Sequence, residues 1–432
     1  FFPPVDQGIR YCALSGSSSG REYVVDAPLE WIKALIGHWR LAAGAGQVLL
    51  IALELPVFVS LFSTLERHDT VIAVTDNAGL DACVELEEEV VTHAAFTVAW
   101  LGDHDKRTGA RPLNKWCFRM SPGERNRAKP GNLESYEPNL GSGSDWLARW
   151  VTRRELGLSL SAGAARGFAH LGVLHVLEQA GVPIDCISGT SMGGIVALVY
   201  AMTGSAEQSI HVIRELLGGN RKVRDLAFVP RGSLYSGKKV SRAARDFFGE
   251  IQIAELKKPC AVIAVDLVRG ERLVINKGLV AEAVLATSAI PGLFPPVERD
   301  GRLLIDGALM SRIPLDVLDG QRCGLRLAVN VVPSPETRKQ EAEETLTWLK
   351  ARGASFLGLR FIIGFSWELQ AWTHGANEAE SADLLIEPDS HIYSGYDFDR
   401  FDDMVNAGRE AAEEKLELIN ASVAALLKPG VP

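Results

Sequence analysis

The chain is expected to fold as an α/β protein around a mainly parallel sheet, and three stretches carry that expectation. Cys186-Ile187-Ser188-Gly189-Thr190 reads as a strand that runs through Ser191 straight into an apolar helix, Ile195 to Ala201. Leu158-Ser159-Leu160 enters a loop of small residues, Ser161-Ala162-Gly163-Ala164, after which Leu171 to Leu177 carries the apolar spacing of a helix. Leu303-Leu304-Ile305-Asp306-Gly307-Ala308 is a third apolar strand, closed by an acid and a glycine. Strands that alternate with helices build a parallel sheet.

From the N-terminus, residues 1–24 read as a remnant or linker, since Phe1-Phe2-Pro3-Pro4 is an abrupt start with neither an initiator methionine nor a signal peptide. Residues 25–118 are expected to form a small parallel α/β subdomain. Its strands are Val48 to Leu53, Thr70 to Thr75 and Phe96 to Leu101, with helix-like spacers between them. The apolar run Val48 to Phe62 contains Glu54 and Pro56 and is too short to span a bilayer, which takes about 20 apolar residues. Residues 119–145 read as a linker, with Pro122-Gly123, Pro130-Gly131 and Gly141-Ser142-Gly143-Ser144. Trp146 to Glu155 is expected as a helix leading into a larger domain, 146–432. Beyond the apolar helix Ile195 to Ala201, Ala206 to Leu217 is expected as another helix. Arg221 to Gly237 mixes Phe228, Leu234 and Tyr235 with Arg231, beside Lys238 and Lys239, and suits either a membrane surface or a covering loop. The tail Phe398 to Leu427 starts acidic and ends as an amphipathic helix.

The chemistry centres on Ser191. In G-x-S-x-G, Gly189 and Gly193 let backbone pack close on either side of a tight turn, so the serine hydroxyl projects from the strand end. The helix that follows points its N-terminus at the serine and favours the negative charge of an oxyanion. The small-residue loop 161–164 lies where free N–H groups can face an anion, although an ordinary strand-to-helix turn would look similar. It fits a dinucleotide-binding loop poorly, because Ala162 and Ala164 stand in the first two glycine positions of G-x-G-x-x-G. Asp306-Gly307 by itself is also a common turn.

Together the three segments resemble the patatin-like phospholipase family, from about Leu156 to Val332. Arg166-Gly167-Phe168-Ala169-His170-Leu171-Gly172-Val173-Leu174 and Ala286-Thr287-Ser288-Ala289-Ile290-Pro291-Gly292-Leu293-Phe294-Pro295-Pro296 are typical of its bacterial members. Within the family the chain is most similar to the neuropathy target esterase branch, whose members carry cyclic-nucleotide-binding modules upstream. The resemblance implies a three-layer α/β/α domain that hydrolyses carboxylic esters of phospholipids or lysophospholipids at a membrane surface. It implies a Ser-Asp dyad, with Ser191 as nucleophile and Asp306 as base, and an oxyanion hole from the N–H groups of Gly163, Ala164 and Met192. Arg166 is expected to fix the loop or the lipid headgroup. The family prefers three or four glycines where this chain has Ser161-Ala162-Gly163-Ala164, and an alanine held at positive φ costs free energy. A catalytically weakened lipid-binding or scaffold module is therefore the alternative.

A Ser-His-Asp triad would take its histidine from His374 or His391, neither in a motif, while His170 and His175 read as helix-face residues. No H-E-x-x-H or paired Cys/His spacing occurs, so no metal or cofactor is expected. The net charge of −9 without a long basic run argues against a nucleic-acid partner. Cysteines at 12, 83, 117, 186, 260 and 323 show no paired spacing, which suits a reducing cytoplasm, and the lipid substrate that the resemblance implies is compatible with a peripheral position at the inner membrane face.

Overall fold

The computed structural model describes the backbone strands within residues 9–119 and, with side chains, residues 146, 149–150, 153–217, 237–319, 323–332, 377–390, 392–393, 395 and 397–427. The expected linker beyond residue 119, the stretch 221–236, His374 and His391 lie outside these residues. The chain divides into two compact units, Phe1–Arg111 with Cys117–Asn126 and Ala424–Pro432, and Pro112–Trp116 with Arg127–Val423.

In the first unit, β1 (Ile9–Leu14), β2 (Arg21–Val25) and β3 (Val48–Ala52) form an antiparallel sheet in the order β2-β1-β3. Separately, β4 (Thr70–Thr75), β5 (Ala95–Trp100) and β6 (Cys117–Arg119) form a parallel sheet in chain order. The three apolar runs are thus strands, but they do not share one parallel sheet. β3 finds an antiparallel partner in β1, which lies within the stretch read from sequence as a remnant.

The second unit is built on an eight-stranded sheet ordered β11-β12-β9-β8-β7-β13-β14, with β10 also paired to β9. Its strands are β7 (Glu155–Leu160), β8 (Cys186–Thr190), β9 (Cys260–Asp266), β10 (Glu271–Ile275), β11 (Val297–Arg299), β12 (Arg302–Asp306), β13 (Cys323–Val329) and β14 (Leu384–Ile386). β9, β8, β7, β13 and β14 pair in parallel, whereas β10, β11 and β12 run antiparallel to their neighbours. Every residue of β7, β8 and β9 is buried. A sheet achieves this only when both faces are covered. The cover comes from helices α1 (Ala169–Gln179), α2 (Met192–Thr203), α3 (Ala206–Leu217), α4 (Lys238–Phe248), α5 (Val280–Thr287) and α6 (Phe401–Leu427), a three-layer α/β/α arrangement. The helix expected to run to Glu155 stops short of it, because Glu155 opens β7. In that helix Arg149 forms a buried ion pair with Asp185 at 2.5 Å.

Two packing details fix the site. α1 and α6 cross where a Cβ on Gly172 would overlap the Val405 carbonyl and one on Gly408 would overlap that of Ala169, so both positions exclude a side chain. The second detail is a shared edge. β10 pairs along one edge of β9 from Val262 to Asp266. On the other edge β8 occupies the first half, with Thr190 opposite Ile263, and β12 the second, with Asp306 opposite Ala264. β8 is parallel to β9 and β12 antiparallel, so their C-terminal ends meet at adjacent residues of one strand.

Candidate active site

Ser191 follows Thr190 and heads α2 with φ 56° and ψ −124°, a left-handed φ for a residue other than glycine. Such a conformation costs of order 1–3 kcal/mol and persists only where the surroundings enforce it. The Ser191 N–H donates to Thr287 Oγ1 at 3.0 Å, and the Thr287 hydroxyl donates to the Ile263 carbonyl at 2.7 Å. Gly189 and Gly193 meet backbone to backbone, and a Cβ on Gly193 would also overlap the Leu160 and Ser161 carbonyls. The glycines on both sides of the serine are thus required by close approach.

Ser191 Oγ donates to Asp306 Oδ2 at 2.6 Å, and the other carboxylate oxygen accepts the Ala308 N–H at 2.9 Å. Asp306 is fully buried. Burial pushes its pKa up to about 7, against the two hydrogen bonds, which favour the carboxylate. A carboxyl poised there exchanges a proton readily near neutral pH.

The small-residue loop lies beside this pair. Ala162 packs on Ala308, and Gly167 abuts the Met192 side chain so closely that a Cβ would overlap it. The Ala162 N–H donates to the Arg312 carbonyl at 3.1 Å, that of Ala165 to Gly395 at 3.0 Å and that of Arg166 to Gly163 at 3.1 Å. The N–H groups of Gly163 and Ala164 have no partner among the described residues. Met192 opens α2, where N–H groups lack intrahelical acceptors. Ala164 has φ 49°, whereas Ala162 is absent from the left-handed residues. The expected alanine strain therefore falls on one position only. Gly163, with φ −176°, needs no unusual backbone; it is glycine because a Cβ would overlap Val331.

Arg166 donates through Nε to the Tyr393 carbonyl at 2.7 Å, tying the loop to the segment before α6. His170 departs from the helix-face reading. It is fully buried, and its Nε2 lies 2.8 Å from the Ser161 carbonyl, to which it donates. Burial lowers its pKa to about 4, partly offset by that bond, so the ring is neutral above that pH. His175 is half-buried on α1, as a helix-face residue. Thr287, His170 and Glu378 are site residues that the sequence did not single out. The Glu378 carboxylate accepts from the Ser311 hydroxyl and from the Arg312 and Ile313 N–H groups at 2.6–2.8 Å, fixing the segment that carries the Arg312 carbonyl. Among the described residues no group of three His, Cys, Asp or Glu side chains is arranged to hold a metal ion.

A strand-end serine on a strained turn, bonded to a buried carboxyl beside a small-residue loop, spans residues 158–319, and that segment matches the patatin-like phospholipase family. The chain carries a patatin-like phospholipase domain. An uncharacterized NTE family protein of Mycobacterium tuberculosis is 31% identical over 317 residues, covering 71% of this chain and 52% of that protein. Neuropathy target esterase sws of Drosophila melanogaster is 28% identical over 207 residues, 46% of this chain and 14% of that protein. Patatin-like phospholipase domain-containing protein 6 of Pongo abelii is 29% identical over 298 residues, 66% of this chain and 22% of that protein. The chain thus spans about half the length of the mycobacterial relative. The segment that matches the family, residues 158–319, contains both Ser191 and Asp306.

Proposed function

We propose that the patatin-like domain is a serine lipid acyl hydrolase acting on carboxylic esters of phospholipids or lysophospholipids through a Ser191–Asp306 dyad. The observation that carries this reading is the 2.6 Å bond from Ser191 Oγ to a fully buried Asp306. Serine attacks an ester only when a neighbouring base accepts its proton, and Asp306 is the carboxyl within reach. Ser191 Oγ adds to the carbonyl carbon while its proton passes to Asp306 Oδ2. The oxyanion is met by the N–H groups of Gly163 and Ala164 and by that of Met192 at the α2 N-terminus. Collapse expels the alcohol, which takes the proton from Asp306 and leaves an acyl-Ser191. Water then attacks the acyl carbonyl as Asp306 accepts its proton; the bond from the carbonyl carbon to Ser191 Oγ breaks, the proton returns from Asp306 to Oγ, and the fatty acid leaves. Arg166 holds the loop through Tyr393.

A lipid substrate also suits the surface past the dyad. β9 runs on past the shared edge alongside the first residues of β12, where Leu267, Val268 and Leu303 are exposed, and the Leu267 N–H donates to the Leu303 carbonyl at 2.8 Å. Exposed apolar side chains grouped beside a site favour contact with a bilayer. Among the described residues no helix is long and apolar enough to cross a membrane, so this reading has the domain meeting lipid from outside.

The test is a fluorophosphonate probe followed by a lipid panel with mass spectrometry of the products. Labelling at Ser191, lost in Ser191→Ala, together with release of fatty acid from phospholipid or lysophospholipid, is the expected result. Labelling without release from any glycerophospholipid would overturn the substrate class. No labelling would overturn the enzyme reading in favour of a lipid-binding scaffold.

A further inference from the structure

Cys186 opens β8 and Cys323 opens β13, 137 positions later, with β7 lying between the two strands. Their sulfurs nevertheless approach to 3.0 Å. Gly157 on β7 makes this possible. It pairs with Cys186, and Cys323 pairs with Glu155 two residues earlier, so all three positions project to one face of the sheet. A Cβ at Gly157 would lie 2.7 Å from Cys323 Sγ, so the thiol lies over the space that glycine leaves. A register shift between Cys323 and Leu325 loosens the pairing at the start of β13. The two sulfurs also differ in access. Cys186 is buried among Ile313, Leu315 and Leu318, whereas Cys323 is only half-buried. Cys260 is a third described thiol and is buried.

We propose that Cys186 and Cys323 form an oxidisable dithiol, a modification site at which a hydroperoxide produces a disulfide that staples β8 to β13 across β7. The half-buried Cys323 thiolate attacks the peroxide. Its S–O bond forms as the O–O bond breaks, and hydroxide leaves to be protonated to water. Cys186 sulfur then attacks the Cys323 sulfenic acid. The S–S bond forms, the S–O bond breaks, and the oxygen leaves as water carrying the Cys186 proton. Two thiols are oxidised to one disulfide as one hydroperoxide is reduced. The hydrogen bond with the Cys323 sulfur, together with burial, raises the Cys186 pKa and keeps it a thiol, consistent with Cys323 reacting first. Closing from 3.0 Å to a bond of about 2.05 Å requires a movement of roughly 1 Å, and the loosened start of β13 is where it is available. The staple lies at the opposite end of β8 from Ser191, so the dyad need not move.

The whole chain would be treated with hydrogen peroxide under native conditions, alkylated, digested with trypsin without reductant and mapped by mass spectrometry. The expected product joins the peptide Gly167–Arg214 to Cys323–Arg326, disappears with dithiothreitol and is absent from Cys323→Ser. In Cys186→Ser, Cys323 is expected to retain a dimedone-reactive sulfenic acid that the parent chain does not accumulate. Recovery of both thiols unchanged, over-oxidation of Cys323 without a cross-link, a cross-link to a different cysteine, or a cross-link formed only in urea would each overturn the proposal.

Discussion

Two turns of the patatin-like domain carry a non-glycine residue at left-handed φ beside the same reaction centre, and they are held in different ways. At Ser191 the support combines local packing with one distant tie. Gly189 and Gly193 close on each other, and Thr287 ties the serine N–H to β9. At Ala164 most of the support arrives from far along the chain, through the Arg312, Gly395 and Tyr393 carbonyls, and the nearby His170 ring adds a bond to Ser161. The close packing of the proposed nucleophile turn is therefore written into five consecutive residues, Gly189 to Gly193, with a single tie to Thr287 from elsewhere in the chain. The proposed oxyanion loop is tied mainly to segments more than a hundred residues away.

The sharpest break is at the nucleophile turn. Ser191→Ala should remove turnover by on the order of 10³-fold or more, measured as p-nitrophenyl ester hydrolysis with an unchanged circular dichroism spectrum. Asp306→Asn should cost about 10²–10⁴-fold while raising the thermal midpoint at neutral pH. The sign follows from its raised pKa. Between the ordinary carboxylate value and about 7 the folded protein keeps a proton that the unfolded chain has lost, so this contribution to stability is present at low pH and lost as pH rises through that window. Ionising Asp306 in the fold costs on the order of 4 kcal/mol against the unfolded chain, and asparagine avoids it. The same pKa predicts that kcat/KM rises through about pH 7 to a plateau, because only the carboxylate can accept the serine proton. A profile flat from pH 5 to 9 would remove Asp306 as the base.

At the oxyanion loop a smaller effect is expected. His170→Ala leaves the Ser161 carbonyl without its donor and should lower kcat by about 10- to 100-fold with little change in KM, the cost of misplacing N–H groups by a fraction of an ångström. An equal loss of Ser191 labelling and of folded protein would reduce His170 to a packing residue. Acid should also weaken the fold through this ring: below about 6.5 the unfolded chain takes up a proton that the buried imidazole refuses until about pH 4, so stability falls across that interval.

The smallest effects separate the two alanines. Ala164→Gly should be near neutral in stability, because relief of roughly 1 kcal/mol of left-handed strain offsets the roughly 0.5–1 kcal/mol entropic cost of glycine, with acylation equal or faster. Ala162→Gly has no such strain to relieve, and its N–H is already bound to Arg312, so only the loss of about 0.5–1 kcal/mol remains. Slower acylation in Ala164→Gly would show that alanine at φ 49° is part of the working geometry.

The sequence revealed those parts of the molecule whose determinants are contiguous. Strand, Ser191 and helix lie within one short segment, Asp306 ends its own strand, the alternation of strand and helix carries the mainly parallel sheet, and the family resemblance adds the three-layer class. What it did not reveal comes from pairing at a distance. Nothing local tells that β1 draws β3 into an antiparallel sheet, or that Thr287 reaches the Ser191 N–H across 96 positions. His170 looked like any residue on a helix face because its partner, the Ser161 carbonyl, is a backbone group without a sequence signature. Cysteine spacing likewise showed no pairing, whereas a glycine on the intervening strand lets Cys186 meet Cys323.

The division of one β9 edge between β8 and β12 makes turnover a reporter of completed folding. Ser191 and Asp306 are 115 positions apart, and their separation is set by two adjacent residues of a third strand. With the proposed dyad, a chain in which β8 has docked but β12 has not possesses a nucleophile without its base. The refolding protein should therefore recover ester hydrolysis no earlier than the last of these strands is in place. Recovery of helical signal ahead of activity would time the docking of β12 directly.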